Sequence, residues 1–178
     1  MTQRLVGKRV GVFVGPGFED LEFYVPLMRM QEEGAVVTII GVKAGEEFAS
    51  KTAGLTATSQ AAARDLSADD FDALIVPGGW APDKIRRDPG VLALVRGVYE
   101  RKRIIGAICH AGSVLISAGV VRGHLSTGSE AIKDDLVNAG AEWTYEKPAF
   151  RDGNIVWGRV VPDIPDFCRE LVEAIERP

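Results

Sequence analysis

The stretch RIIGAICHAGSVLIS, residues 103–117, decides how the rest of the chain is read. Ile104 and Ile105 open a β-branched apolar run, which reaches Cys109-His110 where a strand should end. Ala111, Gly112 and Ser113 follow, and Val114, Leu115 and Ile116 resume an apolar face at helical spacing. A strand, an abrupt turn bearing a nucleophilic side chain and then a helix is the pattern of a nucleophile elbow. Small residues suit that turn, because strand and helix backbones approach closely there. A thiol at a helix N-terminus feels the positive end of the dipole, so the expectation is a stabilised thiolate. A buried apolar Cys beside a helix-capping His gives the same pattern without chemistry.

Outward from that stretch the chain alternates. Segments 9–14, 35–42, 71–76 and the run into Cys109 are apolar on both faces, as strands inside a covered parallel sheet are. Helices are expected over 19–34, 89–102, 112–119, from a Thr127/Glu130 capping box to Asn138, and over 163–176. Pro26 should kink the first of these or delay its start. Residues 43–54 read as polar and Gly-punctuated, 55–59 as a short strand, and 61–70 as a loop with a helical turn. Short strands are expected at 143–145, 149–151 and 154–157, the last two joined by Asp152-Gly153. The predicted fold is a single domain over 1–178, a doubly wound, flavodoxin-like three-layer α/β/α sandwich with a mostly parallel sheet. Ligands in such sheets sit at the carboxyl ends of the strands, so the site is expected where loops 15–20, 77–83 and 108–113 meet.

Composition narrows the function. The 178 residues are 46% hydrophobic and 26% charged, with a net charge of −4, which gives no electrostatic reason to expect nucleic acid. Two distant cysteines, Cys109 and Cys168, fit a reducing, cytoplasmic setting, and no apolar stretch is long enough for a signal peptide or a membrane span. Gly15-Pro16-Gly17 follows the first strand, but Asp20 stands where a dinucleotide fingerprint needs a small residue, and there is no P-loop. Only His110 and His124 are present, without metal-ligand spacing, so no metal or cofactor is expected. His124 and Lys133-Asp134-Asp135 read as surface, and Cys168 as packing.

Two groups remain around Cys109. The acidic cluster Glu19, Asp20 and Glu22 complements a helix dipole, yet the fold places its loop beside the elbow, where one carboxylate could hydrogen-bond Cys109. Pro77-Gly78-Gly79-Trp80-Ala81-Pro82-Asp83 ends a strand with two glycines, whose amides could stabilise an oxyanion formed by attack from Cys109.

Together the segments GFEDLEFYVP (17–26), FDALIVPGGWAPDKIR (71–86), AICHAGSVLISAGVVRG (107–123), IKDDLVNAGA (132–141) and DGNIVWGR (152–159) resemble the DJ-1/PfpI superfamily, of the class I glutamine amidotransferase-like fold. The resemblance is nearest to its short PfpI-like branch. It implies Cys109 as nucleophile, Glu22 as the carboxyl that touches its sulfur in protonated form, and His110 as partner. Asp83 would reach His110 from a neighbouring subunit of a homodimer or larger homo-oligomer. Amides of Gly79 and of His110 or Ala111 would form the oxyanion hole, with Gly78 and Trp80 beside the substrate. The activity implied is cofactor-independent processing of small reactive carbonyls, of glyoxalase III or deglycase type. The alternatives are a cysteine peptidase acting on peptides and a redox-responsive stress protein or chaperone.

Overall fold

A computed structural model describes residues 3–178. In chain order, β1 (Arg9–Phe13) leads to α1 (Asp20–Glu32) and β2 (Val36–Gly41). The small strands β3 (Glu47–Ala49), β4 (Thr56–Thr58) and β5 (Ala61–Ala62) follow, then β6 (Ala73–Val76), α2 (Ala81–Ile85), α3 (Pro89–Glu100), β7 (Ile104–Ile108) and α4 (Gly112–Ala118). The chain closes with β8 (Leu125–Ser126), α5 (Lys133–Asn138), β9 (Glu142–Trp143), β10 (Ala149–Asp152), β11 (Ile155–Gly158) and α6 (Ile164–Glu176). Seven strands form the central sheet in the order β10-β11-β7-β6-β1-β2-β5. All pairs in it are parallel except the β10–β11 hairpin.

Period-2 alternation in strands buried on both faces assigns residues to two cores. On one face Val10, Val12, Ala73, Ile75 and Val156 pack under α1 and α6, through Phe23, Leu27, Phe167 and Leu171. On the other, Phe13, Leu74, Val76, Ile105 and Trp157 pack under α3, α4 and α5, through Leu94, Val98, Leu115 and Leu136. Helix α6 lies close against the sheet because two strand residues have no side chain on its side. A Cβ on Gly106 would stand 2.6 Å from Leu171, and one on Gly158 would stand 2.8 Å from Phe167. Strand order reverses between β1 and β6, and β7 lies beside β6, so the carboxyl ends of these three strands flank the switch point.

Four local expectations are corrected. Of the two effects expected of Pro26, the delayed start does not occur: helix α1 starts at Asp20, Glu19 caps it by accepting the Glu22 N–H at 2.8 Å, and the proline lies within the helix. Residues 43–54 are not simply polar loop, since β3 pairs antiparallel with β4 across 50–55. Thr127 caps no helix; Ser129 accepts from the Ala131 N–H instead, while the buried Thr127 hydroxyl has no partner among the described residues. His124 is not a surface residue. Its side chain is 13% exposed, held between the Tyr99 hydroxyl at 2.8 Å and Asp152 at 2.5 Å, which ties α3 to the β10–β11 turn.

Candidate active site

The elbow forms as its sequence predicts. Cys109 has φ +61°, a left-handed conformation that costs a side-chain-bearing residue on the order of 1 kcal/mol. The surroundings hold it there. The Cys109 carbonyl accepts the Ser129 N–H at 3.0 Å, and Gly128 leaves room for that approach, since a Cβ there would lie 2.6 Å from the same oxygen. Ala111 is fully buried behind the turn.

Backbone pairing brings the other two loops to the sulfur. Phe18 and Gly79 form an antiparallel bridge, the Trp80 N–H donates to the Gly17 carbonyl at 2.8 Å, and the Glu19 N–H donates to the Gly78 carbonyl at 3.2 Å. This clasp sets Glu22, on the first turn of α1, against Cys109. Glu22 is fully buried, its Oε2 accepts the Gly78 N–H at 2.8 Å, and its Oε1 has no partner among the described residues. The amides of Gly79 and His110 favour the charged form of the sulfur, and His110 Nδ1 lies 3.3 Å from it. Gly78 is fixed by this crowding. A Cβ there would stand 2.6 Å from Cys109 Cβ and 3.0 Å from Sγ. Gly78→Ala is therefore expected to lower stability by about 1–3 kcal/mol in urea denaturation and to separate the carboxyl from the thiol.

Electrostatics at the pair contradict the expectation of a stabilised thiolate. Burial pushes the Cys109 thiol up to about 12, with the Glu22 charge and its hydrogen bond adding, against the opposite pull of the Gly79 and His110 amides. The dipole of a short helix does not outweigh that burial. Burial likewise pushes the Glu22 carboxyl up to about 7, reinforced by Glu19. Thiol and carboxyl titrate as a unit: one proton leaves near pH 7 and the second only near 12. Burial, then the charge of Lys51, lowers the His110 pKa, so its imidazole is neutral at pH 7.

The thiol opens into a cavity of about 340 Å³ lined by Glu19, Glu22, Lys51, Gly79, Trp80, His110, Ser129 and Val160–Pro162. A neighbouring hollow of about 550 Å³ shares Gly79, Trp80 and His110 and is bounded by Asp83, Arg86 and Ser113. Asp83 makes no contact with His110 in its own chain; its side chain is 75% exposed, 4.0 Å from Lys84. Trp80 is 60% exposed at the rim that the two hollows share. Among the described residues no three His, Cys, Asp or Glu side chains are grouped so as to hold a metal ion. Lys51 was not legible as a site residue, because its segment reads as polar loop and only the β3–β4 pairing carries it to the cavity.

The sequence profile of the DJ-1/PfpI family matches residues 8–174. The chain belongs to the DJ-1/PfpI family. It is 34% identical over 168 residues to a deglycase from Pyrococcus abyssi, covering 94% of this chain and 99% of that one. It is 32% identical over 172 residues to general stress protein 18 of Bacillus subtilis, covering 97% and 100%. The crystal structure of Drosophila melanogaster DJ-1beta superposes with a TM-score of 0.88 at 26% identity, covering 96% and 91%. Among the described residues no helix is long and apolar enough to cross a membrane.

Proposed function

We propose that the protein is a Cys109-dependent enzyme of glyoxalase and deglycase type, acting on α-oxoaldehydes and the adducts they form with thiols and amines. The observation that carries this reading is Cys109 at a strained elbow beside the buried Glu22 carboxyl, opening into a small cavity. Relatives named deglycases, from Pyrococcus abyssi and Pyrococcus furiosus among others, agree with it. In the reaction, Cys109 Sγ adds to the aldehyde carbon of methylglyoxal while its proton passes to His110 or Glu22, and the carbonyl oxygen becomes a hydroxyl. A proton then moves from C1 to C2 through an enediol, giving a thioester of lactic acid on Sγ. Water cleaves the thioester to lactate and regenerates the thiol, so methylglyoxal plus water equals lactic acid. The Gly79 and His110 amides stabilise negative charge on oxygen bound next to the sulfur.

The active unit we infer is a homodimer or larger homo-oligomer, in which Asp83 of one chain reaches His110 of another. Its support is that among the described residues His110 has no carboxylate partner, while Asp83 stands exposed beside the shared rim. Two unpaired cysteines fit a cytoplasmic location, and the Bacillus subtilis relative's name fits a stress-protective role. A peptidase reading has only the Cys109–His110 contact in its favour, and a cavity of about 340 Å³ with Trp80 at its rim suits a small carbonyl better. A redox-responsive role draws on the unpartnered Glu22 Oε1, which in protonated form could donate to an oxidised sulfur.

Lactate production followed by proton NMR tests the main reading. The native protein should form lactate from methylglyoxal and from its N-acetylcysteine adduct, and iodoacetamide should stop this once peptide mass spectrometry locates the label on Cys109. No lactate from native protein, or a rate that survives complete labelling, would overturn it.

A further inference from the structure

Among the described residues Lys51 is the only lysine or arginine lining the Cys109 cavity, and the fold pins its backbone rather than leaving it on a loose loop. Its N–H donates to the Phe18 carbonyl at 2.7 Å. The residues on either side both grip Asp20: Ser50 Oγ donates to Oδ1 at 2.6 Å and Thr52 Oγ1 to the same oxygen at 2.7 Å, with the Thr52 N–H reaching Oδ2 at 3.4 Å. Asp20 is 8% exposed, so these hydrogen bonds are shielded from competing water. One strand residue further back, the Ala49 carbonyl accepts the Gly17 N–H at 3.0 Å, and on the other arm Thr56 accepts from the Tyr24 hydroxyl. The β3–β4 turn is thereby pinned to the same 17–19 segment that carries the site. Among the described residues the Lys51 ammonium has no ion-pair partner. Glu19, the other charged side chain lining this cavity outside the Cys109–Glu22 pair among the described residues, caps α1 by accepting the Glu22 N–H at 2.8 Å; its charge acts on Glu22 in the opposite sense to that of Lys51. The influence of Lys51 extends to the reacting groups, since its charge lowers the pKa of both Glu22 and His110.

We propose that Lys51 is a specificity-determining residue: the site selects carbonyl adducts that carry a carboxylate close to the modified atom, such as those on free amino acids and small acidic thiols, over neutral ones. The proposal rests on the Cys109-centred reading above and deepens it. The Lys51 side chain is exposed to water on a backbone that the fold pins at the rim of this cavity, so its unpaired charge attracts an incoming carboxylate with the modest strength of a solvated contact.

Two measurements test it, one of them independent of turnover. Cys109 is alkylated with iodoacetate, an anion, and with iodoacetamide, its neutral counterpart, and each rate is divided by that of free N-acetylcysteine. The ratio of the two normalised rates cancels any change in ionisation of the thiol. Lys51→Met should lower this ratio by about five-fold, the effect of one nearby charge, and Lys51→Arg should preserve it. A ratio unchanged in Lys51→Met, or equal slowing of both reagents, overturns the proposal. In the second measurement, lactate is followed from the methylglyoxal adducts of N-acetylcysteine and of its amide, and Lys51→Met should erase a preference for the acid. If native protein forms no lactate from either adduct, the deglycase reading fails, while the alkylation ratio still decides the role of Lys51.

Discussion

Cys109→Ser is expected to form lactate from methylglyoxal at less than about a thousandth of the wild-type rate, because removing the nucleophile of a covalent mechanism leaves only binding and the oxyanion donors. The comparison is clean because little else changes. Serine is slightly smaller than cysteine and can adopt the same φ of +61°, and the Cys109 carbonyl keeps its bond from the Ser129 N–H. Urea denaturation should show stability within about 1 kcal/mol of wild type. Glu22, His110 and the two amides would all remain in place around a hydroxyl that holds its proton far more tightly than a thiol does. Lactate formed at the wild-type rate by a folded Cys109→Ser protein would remove Cys109 from the chemistry.

The second large effect is expected from Glu22→Gln, about 10²- to 10⁴-fold in turnover, the range typical of a lost general acid or base. Glutamine keeps the shape of the side chain and an oxygen to accept the Gly78 N–H, so the substitution removes a titrating proton rather than a brace. Stability should respond in the opposite sense to activity. In the folded chain Glu22 titrates at about 7, above the ordinary 4.5. Between those values the native protein holds a proton that the unfolded chain releases, so the contribution of Glu22 is fully present below about 4.5 and is lost as pH rises through 7. Glu22→Gln should flatten that part of the stability profile and leave the protein at least as stable at pH 8. A variant destabilised at every pH by the same amount would mean that the carboxyl acts as a structural brace only.

Much of this was legible in the sequence, for physical reasons that can be named. The RIIGAICHAGSVLIS stretch declared its strand, turn and helix because β-branched apolar residues, then small residues, then helical spacing leave few other conformations. Buried parallel strands read as continuous apolar runs, so β1, β6 and β7 and the convergence of their loops followed. What the sequence concealed depends on contacts across the chain. Glu47–Ala49 is too short and polar to declare a strand, and only pairing with Thr56–Thr58 makes it one and delivers Lys51 to the cavity. His124 follows Gly123 in a segment that reads as a loop, and the partners that hold it, Tyr99 and Asp152, are distant in sequence. The thiolate expectation weighed a helix terminus without the burial and the neighbouring carboxyl that outweigh it.

The central claim is that Cys109 and Glu22 hold their protons in common. It is tested most directly by the rate at which iodoacetamide labels Cys109 as a function of pH, in wild type and in Glu22→Gln. In wild type the rate should rise through about pH 7 and then stay level, because above that pH one negative charge is divided between sulfur and carboxyl in a fixed ratio until the second proton leaves near 12. In Glu22→Gln the level region should vanish, leaving one thiol titration below the wild-type upper limit, since the charge and hydrogen bond that raise it are gone. A single curve centred on the ordinary thiol range and identical in both proteins would contradict the shared proton, and with it the mechanism built on this pair.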